Sequence, residues 1–418
     1  MTARSAVWHP FTQHGLDPPA TAIVGGQGAC LETADGKRIV DAISSWWVIT
    51  HGHRHPAIVA AVREQLDKLD QVIFAGFTHE PAERLAEKLI ARAPDGLAHV
   101  FYSDSGSTSV EVALKMTLGY WRNIGEPRTG IAALENGYHG DTIGTMSAGS
   151  RGVFNDAYAP LLFDVVRIPF PSAGREQATF DALDAAGRNG NLAAFIAEPL
   201  IAGAGGMLIY SAAALAEMKR ICERHGALFI ADEVMTGWGR TGTFFACEQA
   251  GIAPDILCTA KGLTGGSLPL AATLASARIF DAHVSTDRAR TLFHSSSFTA
   301  NPVCCAAALA NLEVWDSEPV HERIEKLAEM QETALHTLSD PRFENPRRLG
   351  TITAVDLKVA DQGYLATAGL KLRAHALSKG VLLRPLGNTI YVLPPYCITE
   401  TELELVYGAI RSAPDAVV

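Results

Sequence analysis

Two side chains in this sequence are placed to do chemistry together. Asp232 closes an apolar run, Leu228–Ala231, and Lys261 closes a second, Ile256–Ala260. Short apolar runs of this kind read as buried parallel strands, and functional groups collect at the carboxyl ends of such strands. The pattern therefore predicts an acid and an amine on one edge of one sheet. An amine there can condense with an aldehyde, and a carboxylate beside it can keep a pyridine nitrogen protonated so that the ring accepts electrons. That chemistry suits pyridoxal phosphate. On these two residues alone, a helix-capping aspartate and a solvated loop lysine explain the pattern as well.

Other residues add to the pair. Asp104-Ser-Gly-Ser-Thr-Ser109 lies between a strand pattern and a long helix pattern, where small residues let backbone N–H groups face an anion. Beside a lysine–aspartate pair, Gly106 and Ser107 read as a phosphate cradle; a plain cap involving Glu111 is the other reading. Tyr138, in Asn136-Gly-Tyr-His-Gly-Asp141, could lie flat on an aromatic ring, or simply occupy a tight turn. Glu198 ends another apolar run and joins the same edge, unless it is a surface acid. Trp46 and Trp47 stand between an early strand and the first helix, and composition favours core packing for such a pair. Arg384 ends a further run and could grip a carboxylate bidentately, or be a surface charge. His294-Ser-Ser-Ser-Phe-Thr-Ala-Asn-Pro302 offers hydroxyls to a phosphate, from the same subunit or across a dimer interface.

The elements that must position these groups are legible as patterns. At 418 residues the chain exceeds one simple core. With 48% hydrophobic and 19% charged residues it reads as a soluble globular protein. A net charge of −10 and a pI near 5.8 argue against nucleic acid as a partner. The seven cysteines are scattered without a C-x-x-C pair, which favours reduced thiols in the cytoplasm over disulfides or a metal site. No signal core stands at Met1–Pro10, and no apolar run reaches the roughly eighteen residues of a membrane span. Along the chain, a hairpin is expected around Asp35-Gly36, then helices from Pro56 and from Pro81. Alternating strands and helices follow from Val100 to Leu274, the mark of an α/β domain with a largely parallel sheet. A helical region begins at Pro302, and short strands alternate with helices from Thr351. The expected division is 1–50 and 306–418 as two parts of a smaller α+β domain, with 51–305 as the large domain.

Assembled, these residues resemble the subgroup III aminotransferases of pyridoxal-phosphate fold type I. The likeness runs from Trp8-His-Pro to Leu393-Pro-Pro-Tyr396 and rests on Ala231-Asp-Glu-Val, Gly239-Arg-Thr-Gly and Lys261-Gly-Leu-Thr-Gly-Gly. The resemblance implies that Lys261 is the Schiff-base lysine and proton shuttle, that Asp232 pairs with the pyridine nitrogen, and that Tyr138 covers the ring near the reacting atoms. It implies Gly106, Ser107, Glu198, Ser296 and Ser297 around the cofactor. Phe11, Trp46, Trp47, Tyr138, Ser295 and Tyr391 would meet substrate, and Arg384 a substrate carboxylate. It further implies a homodimer with a shared active site and no metal. Ser44-Ser-Trp-Trp, Gly137-Tyr-His-Gly-Asp and Arg384-Pro-Leu-Gly resemble the biotin-synthesis branch, whose donor is S-adenosylmethionine. Two departures stand out. His294-Ser-Ser-Ser297 replaces His-Gly-Pro-Thr, and Phe11 stands where the pattern has tyrosine. Lysine as donor, or another ω-aminotransferase acting on a diamine, 4-aminobutyrate or taurine, are the alternatives. A cofactor-sensing transcription regulator would need a basic DNA-binding segment, and the sequence contains none.

Overall fold

The structure, a computed structural model, describes residues 5–360 and 363–417; Met1–Arg4 of the N-terminal reading lie outside it. Its centre is a seven-stranded sheet in the order Leu97–Ser103, Ala271–Ser276, Ile256–Thr259, Leu228–Asp232, Leu192–Ala197, Gly130–Leu134 and Val166–Ile168. All these strands run parallel except Ala271–Ser276, which is antiparallel to both neighbours. The link from Thr259 to Ala271 holds only a short helical turn, too little for the helical crossover that a parallel neighbour needs.

The middle strands are buried along their whole length because both faces are covered. Side chains of a strand alternate between faces. Leu228 and Ile230 pack with Val110 and Ala113 of helix Gly106–Asn123. Phe229 and Ala231 pack with Leu215 and Met218 of helix Ala212–Arg224.

The two ends of the chain share a second sheet. Strands Ile23–Gln27, Cys30–Thr33 and Arg38–Asp41 pair antiparallel, with Gly36 at φ +79° in the expected hairpin, and Val381–Leu382 adds parallel to Arg38–Asp41. A third sheet joins Phe343–Leu349, Ile352–Leu357 and Thr389–Val392. The sequence reading begins that sheet at Thr351 and omits Phe343–Leu349. This strand lies at the sheet edge and carries Asn345 at φ +51° and Pro346 in a bulge, which hides any alternation. Among the described residues no helix is long and apolar enough to cross a membrane. All seven cysteines are free thiols.

Candidate active site

The carboxyl edge of the large sheet brings the sequence candidates together. Asp232 is the last residue of its strand, in register with Cys258 of the neighbour, and Lys261 follows that neighbour's end. Glu198 follows the strand on the other side, one step beyond Ala197, which is in register with Ala231. Gly266 sits tightly behind the lysine turn at φ +85°, where a Cβ would come within 2.5 Å of the Val48 carbonyl oxygen.

The two consecutive acids have different work. Glu233 accepts from the Thr236 hydroxyl at 2.5 Å and the Cys247 N–H at 2.8 Å, which makes it an internal brace. Asp232 is buried, accepts from the Val234 N–H through Oδ1 at 3.2 Å, and holds His139 Nδ1 at 2.7 Å through Oδ2. His139 Nε2 is buried without a hydrogen-bond partner among the described residues. Glu198 accepts the backbone N–H of Tyr138 at 3.0 Å and of Gly203 at 3.1 Å, so it sets the height of the tyrosine loop. Burial, with Asp232 nearby, pushes the Glu198 carboxyl up to about 7 against the opposing pull of His139. Burial also pulls the Lys261 amine below its ordinary range, while Asp232, Glu198 and Asp141 oppose this through space rather than by contact.

At the start of helix Gly106–Asn123, Ser105 Oγ accepts from the Thr108 N–H at 3.2 Å and Thr108 Oγ1 accepts from the Ser105 N–H at 2.9 Å. The cap is thus Ser105–Thr108 and does not use Glu111. Glu111 instead accepts from the Thr142 hydroxyl at 2.6 Å and the Gly144 N–H at 2.8 Å. A Cβ at Gly106 would lie 2.6 Å from Val234 Cγ1, so only glycine fits there. Ser107 Oγ accepts the Asp141 N–H at 3.2 Å, and Gly140, at φ +131°, could carry no Cβ without striking Ser107 Oγ. The Tyr138 loop is thereby folded onto the cradle. A helix N-terminus with a hydroxyl, a buried carboxylate further along, an amine on the next strand and a buried unpaired imidazole nitrogen fit a phosphorylated pyridine aldehyde.

The mouth of the site is aromatic. Composition favours core packing for both tryptophans, and the structure separates them. Trp47 is 5% exposed and donates its indole N–H to Tyr391 Oη at 3.0 Å, whereas Trp46 is 41% exposed. Lys261 Nζ lies 5.1 Å from the Trp47 ring centre, and the Arg384 guanidinium lies 4.9 Å over Trp46. Arg384 also donates to the Phe11 carbonyl oxygen at 3.3 Å and makes no ion pair among the described residues. Phe11 stacks obliquely on Trp46 at 5.5 Å and meets Phe154 at 6.0 Å, which in turn meets Tyr364 at 4.5 Å. Ser296 Oγ donates to Asp104 at 3.0 Å, beside the cradle, and Gln71 donates to the Ser297 carbonyl oxygen at 2.6 Å; Ser295 and Ser297 are exposed.

Sequence reasoning passed over His139, Phe154 and Tyr364. Only His139 had a local signal, its place beside Tyr138 in a loop following a strand.

A lysine and an aspartate on adjacent strand ends, with a helix N-terminus beside them, fit a pyridoxal-phosphate-dependent enzyme. The aminotransferase class-III family model matches residues 11–413, and the chain belongs to that family. It is 46% identical to the adenosylmethionine-8-amino-7-oxononanoate aminotransferase of Synechococcus elongatus, over 100% of both chains. It is 38% identical to the protein of that name from Mycobacterium leprae, over 96% of this chain and 93% of that one. The crystal structure of the Methanocaldococcus jannaschii protein of the same name superposes with a TM-score of 0.94 at 33% identity, covering 99% of this chain and 97% of the other. An amine transaminase from an uncultivated Pseudomonas species, solved in its PLP-bound form, gives 0.91 at 33% identity over 100% of both chains.

Proposed function

We propose that this chain transfers an amino group from S-adenosylmethionine to the ketone of 8-amino-7-oxononanoate, giving 7,8-diaminononanoate for biotin synthesis. The observation that carries the acceptor is Arg384, a guanidinium without an ion pair among the described residues, at an aromatic mouth whose other wall faces Lys261. A ketoacid with its carboxylate on Arg384 would lay its chain along Phe11 and Trp46 and bring its ketone toward Lys261. Relatives with near-complete coverage carry the name of this reaction.

Pyridoxal phosphate, when bound, supplies the electron sink and carries the amino group from donor to acceptor. Gly106 and Ser107 would hold its phosphate, Asp232 would keep the pyridine nitrogen protonated, and Tyr138 would cover the ring. Glu198 would set Tyr138 through the backbone bond at 3.0 Å. Lys261 Nζ, once free, would move the proton between the substrate carbon and the cofactor; its lowered pKa favours the neutral amine that this requires. Trp47, Tyr391 and Ser295 would complete the substrate walls.

Replacing Arg384 by Ala should weaken the acceptor by roughly 1.5–3 kcal/mol, the scale of a hydrogen bond to a charged group. The KM for the ketoacid should rise while cofactor absorbance stays as in the wild type. Loss of cofactor with a normal KM would show that Arg384 has another role.

The donor has a competing reading, because Phe11 offers no hydroxyl beside Trp46. Lysine-using relatives can carry phenylalanine there. One lost hydrogen bond is about 1 kcal/mol, too little alone to switch donors, and the exposed indole of Trp46 suits a sulfonium through cation–π attraction. Single-turnover conversion of the cofactor's absorbance should be rapid with S-adenosylmethionine. Rapid conversion by lysine and none by S-adenosylmethionine would replace the donor and keep the acceptor.

A homodimer completes the reading. Ile73, Phe77, Phe293 and Phe298 are all more than half exposed around the Ser295–Ser297 loop, a surface suited to a second copy that places Ser296 and Ser297 near a neighbouring phosphate. The pairing of Val381–Leu382 with Arg38–Asp41 supports grouping 1–50 with 306–418 as one small domain around 51–305. Seven free thiols suit a cytoplasmic setting.

A further inference from the structure

The turn that carries both tryptophans is held in an unfavourable shape. Ser44, Ser45 and Trp47 have φ of +52°, +60° and +66°, a region that side chains disfavour, and Trp46 between them has φ −125° and ψ +54°. Such backbone persists only where its surroundings over-determine it.

Asp41 supplies much of that determination. It ends the strand Arg38–Asp41 and is 0% exposed. Its Oδ1 accepts from the Ile43 N–H at 3.3 Å and the Ser45 N–H at 2.9 Å. Its Oδ2 accepts from the Ser45 N–H at 2.7 Å and the Ser45 hydroxyl at 3.2 Å, and holds His53 Nε2 at 2.8 Å. Other ties hold the rest of the turn: the Ser44 hydroxyl donates to the Leu393 carbonyl oxygen at 2.8 Å, the Trp47 N–H to that of Ile43 at 3.0 Å, the Trp47 indole to Tyr391 Oη at 3.0 Å, and Arg240 to the carbonyl oxygens of Trp47 at 3.5 Å and Ile49 at 2.8 Å. No other described side chain receives the Ser45 amide. The outcome of this shape is chemical, since it presents Trp46 under Arg384 and Trp47 beside the Lys261 amine.

We propose that Asp41 is a positioning residue for the amino-transfer site: its buried carboxylate clamps the strained Ser44–Trp47 turn and so places the two indoles that the acceptor meets. The inference rests on the reading that Trp46, Trp47 and Arg384 form the substrate walls. A carboxylate that merely stabilised the fold would change melting temperature and leave substrate affinity alone.

The test uses the holoenzyme. Asp41→Asn keeps the size of the side chain but turns one acceptor oxygen into a donor, so the bidentate grip on the Ser45 amide is lost. The KM for the acceptor should rise about tenfold, equivalent to about 1.4 kcal/mol of binding lost when the two indoles leave their places. The kcat should change much less, and cofactor absorbance should be unaltered. Glycine adopts φ near +60° without strain, so Ser45→Gly added to Asp41→Asn should recover part of the lost affinity. If the single variant fails to fold, the relaxed double variant is compared with Ser45→Gly alone, and a higher KM in the double variant is expected. A wild-type KM in Asp41→Asn, no recovery on adding Ser45→Gly, or equal KM values in the fallback pair would each overturn the proposal. Inactivity of the wild type on 8-amino-7-oxononanoate would sink the substrate reading alone. The same ratios, taken on whichever amine and ketone the wild type does turn over, still decide Asp41.

Discussion

Replacing Lys261 by Ala should abolish steady-state amino transfer while leaving the fold intact. The lysine opens a turn at the end of its strand, and its amine meets the core at the Trp47 ring, whose centre is 5.1 Å away. Loss of a positioned proton carrier alone costs on the order of 10²–10⁴-fold in rate, and in the proposed function the same amine would also anchor the cofactor, so the measured loss should exceed that range. No other lysine stands ready to replace it. Lys115, on helix Gly106–Asn123, is tied to the Phe293 carbonyl oxygen and to His294 Nδ1 at 3.2 Å. Borohydride reduction of the wild type followed by peptide mapping should leave the pyridoxyl group on Lys261. A label on Lys115, or activity retained by Lys261→Ala, would overturn the assignment.

Asp232→Asn should be the second most damaging change. The amide is the same size, and it can still accept from the Val234 N–H that Asp232 holds at 3.2 Å. It cannot supply the negative charge that keeps a pyridine nitrogen protonated. Removing one preorganised electrostatic partner typically costs roughly a hundredfold or more in rate. Cofactor affinity should fall less, because Gly106, Ser107 and Lys261 are untouched. The His139 bond at 2.7 Å adds a second consequence. With the amide oxygen on the Val234 N–H, the amide NH2 faces His139 Nδ1, so the imidazole must take the tautomer that accepts there, and the loss combines the missing charge with that change. Rapid-reaction spectra with donor alone are the check, and near-normal conversion in Asp232→Asn would reduce the residue to a brace like Glu233.

How much of this was legible in the chain differs residue by residue. Lys261 and Asp232 announce themselves because a charge that ends an apolar run is local information, and strand ends are where parallel sheets collect their chemistry. Gly106 and Ser107 were readable for the same reason, as small residues between a strand and a long helix. The direction of Ala271–Ser276 was not, since an apolar run has the same pattern whichever way it points. Nor was the bracing role of Glu233 legible; it depends on the groups that approach it, the Thr236 hydroxyl and the Cys247 N–H. Trp46 and Trp47 are indistinguishable as neighbours in sequence. Only the fold exposes one under Arg384 and buries the other against Tyr391, 344 residues away. The sequence by itself determined the family, the α/β sheet and the residues at its carboxyl edge, because strand period and strand ends are written in short stretches. The tertiary structure alone decided the mouth of the site and the Asp41 clamp, because both depend on side chains meeting across long separations and on backbone angles that no local pattern demands.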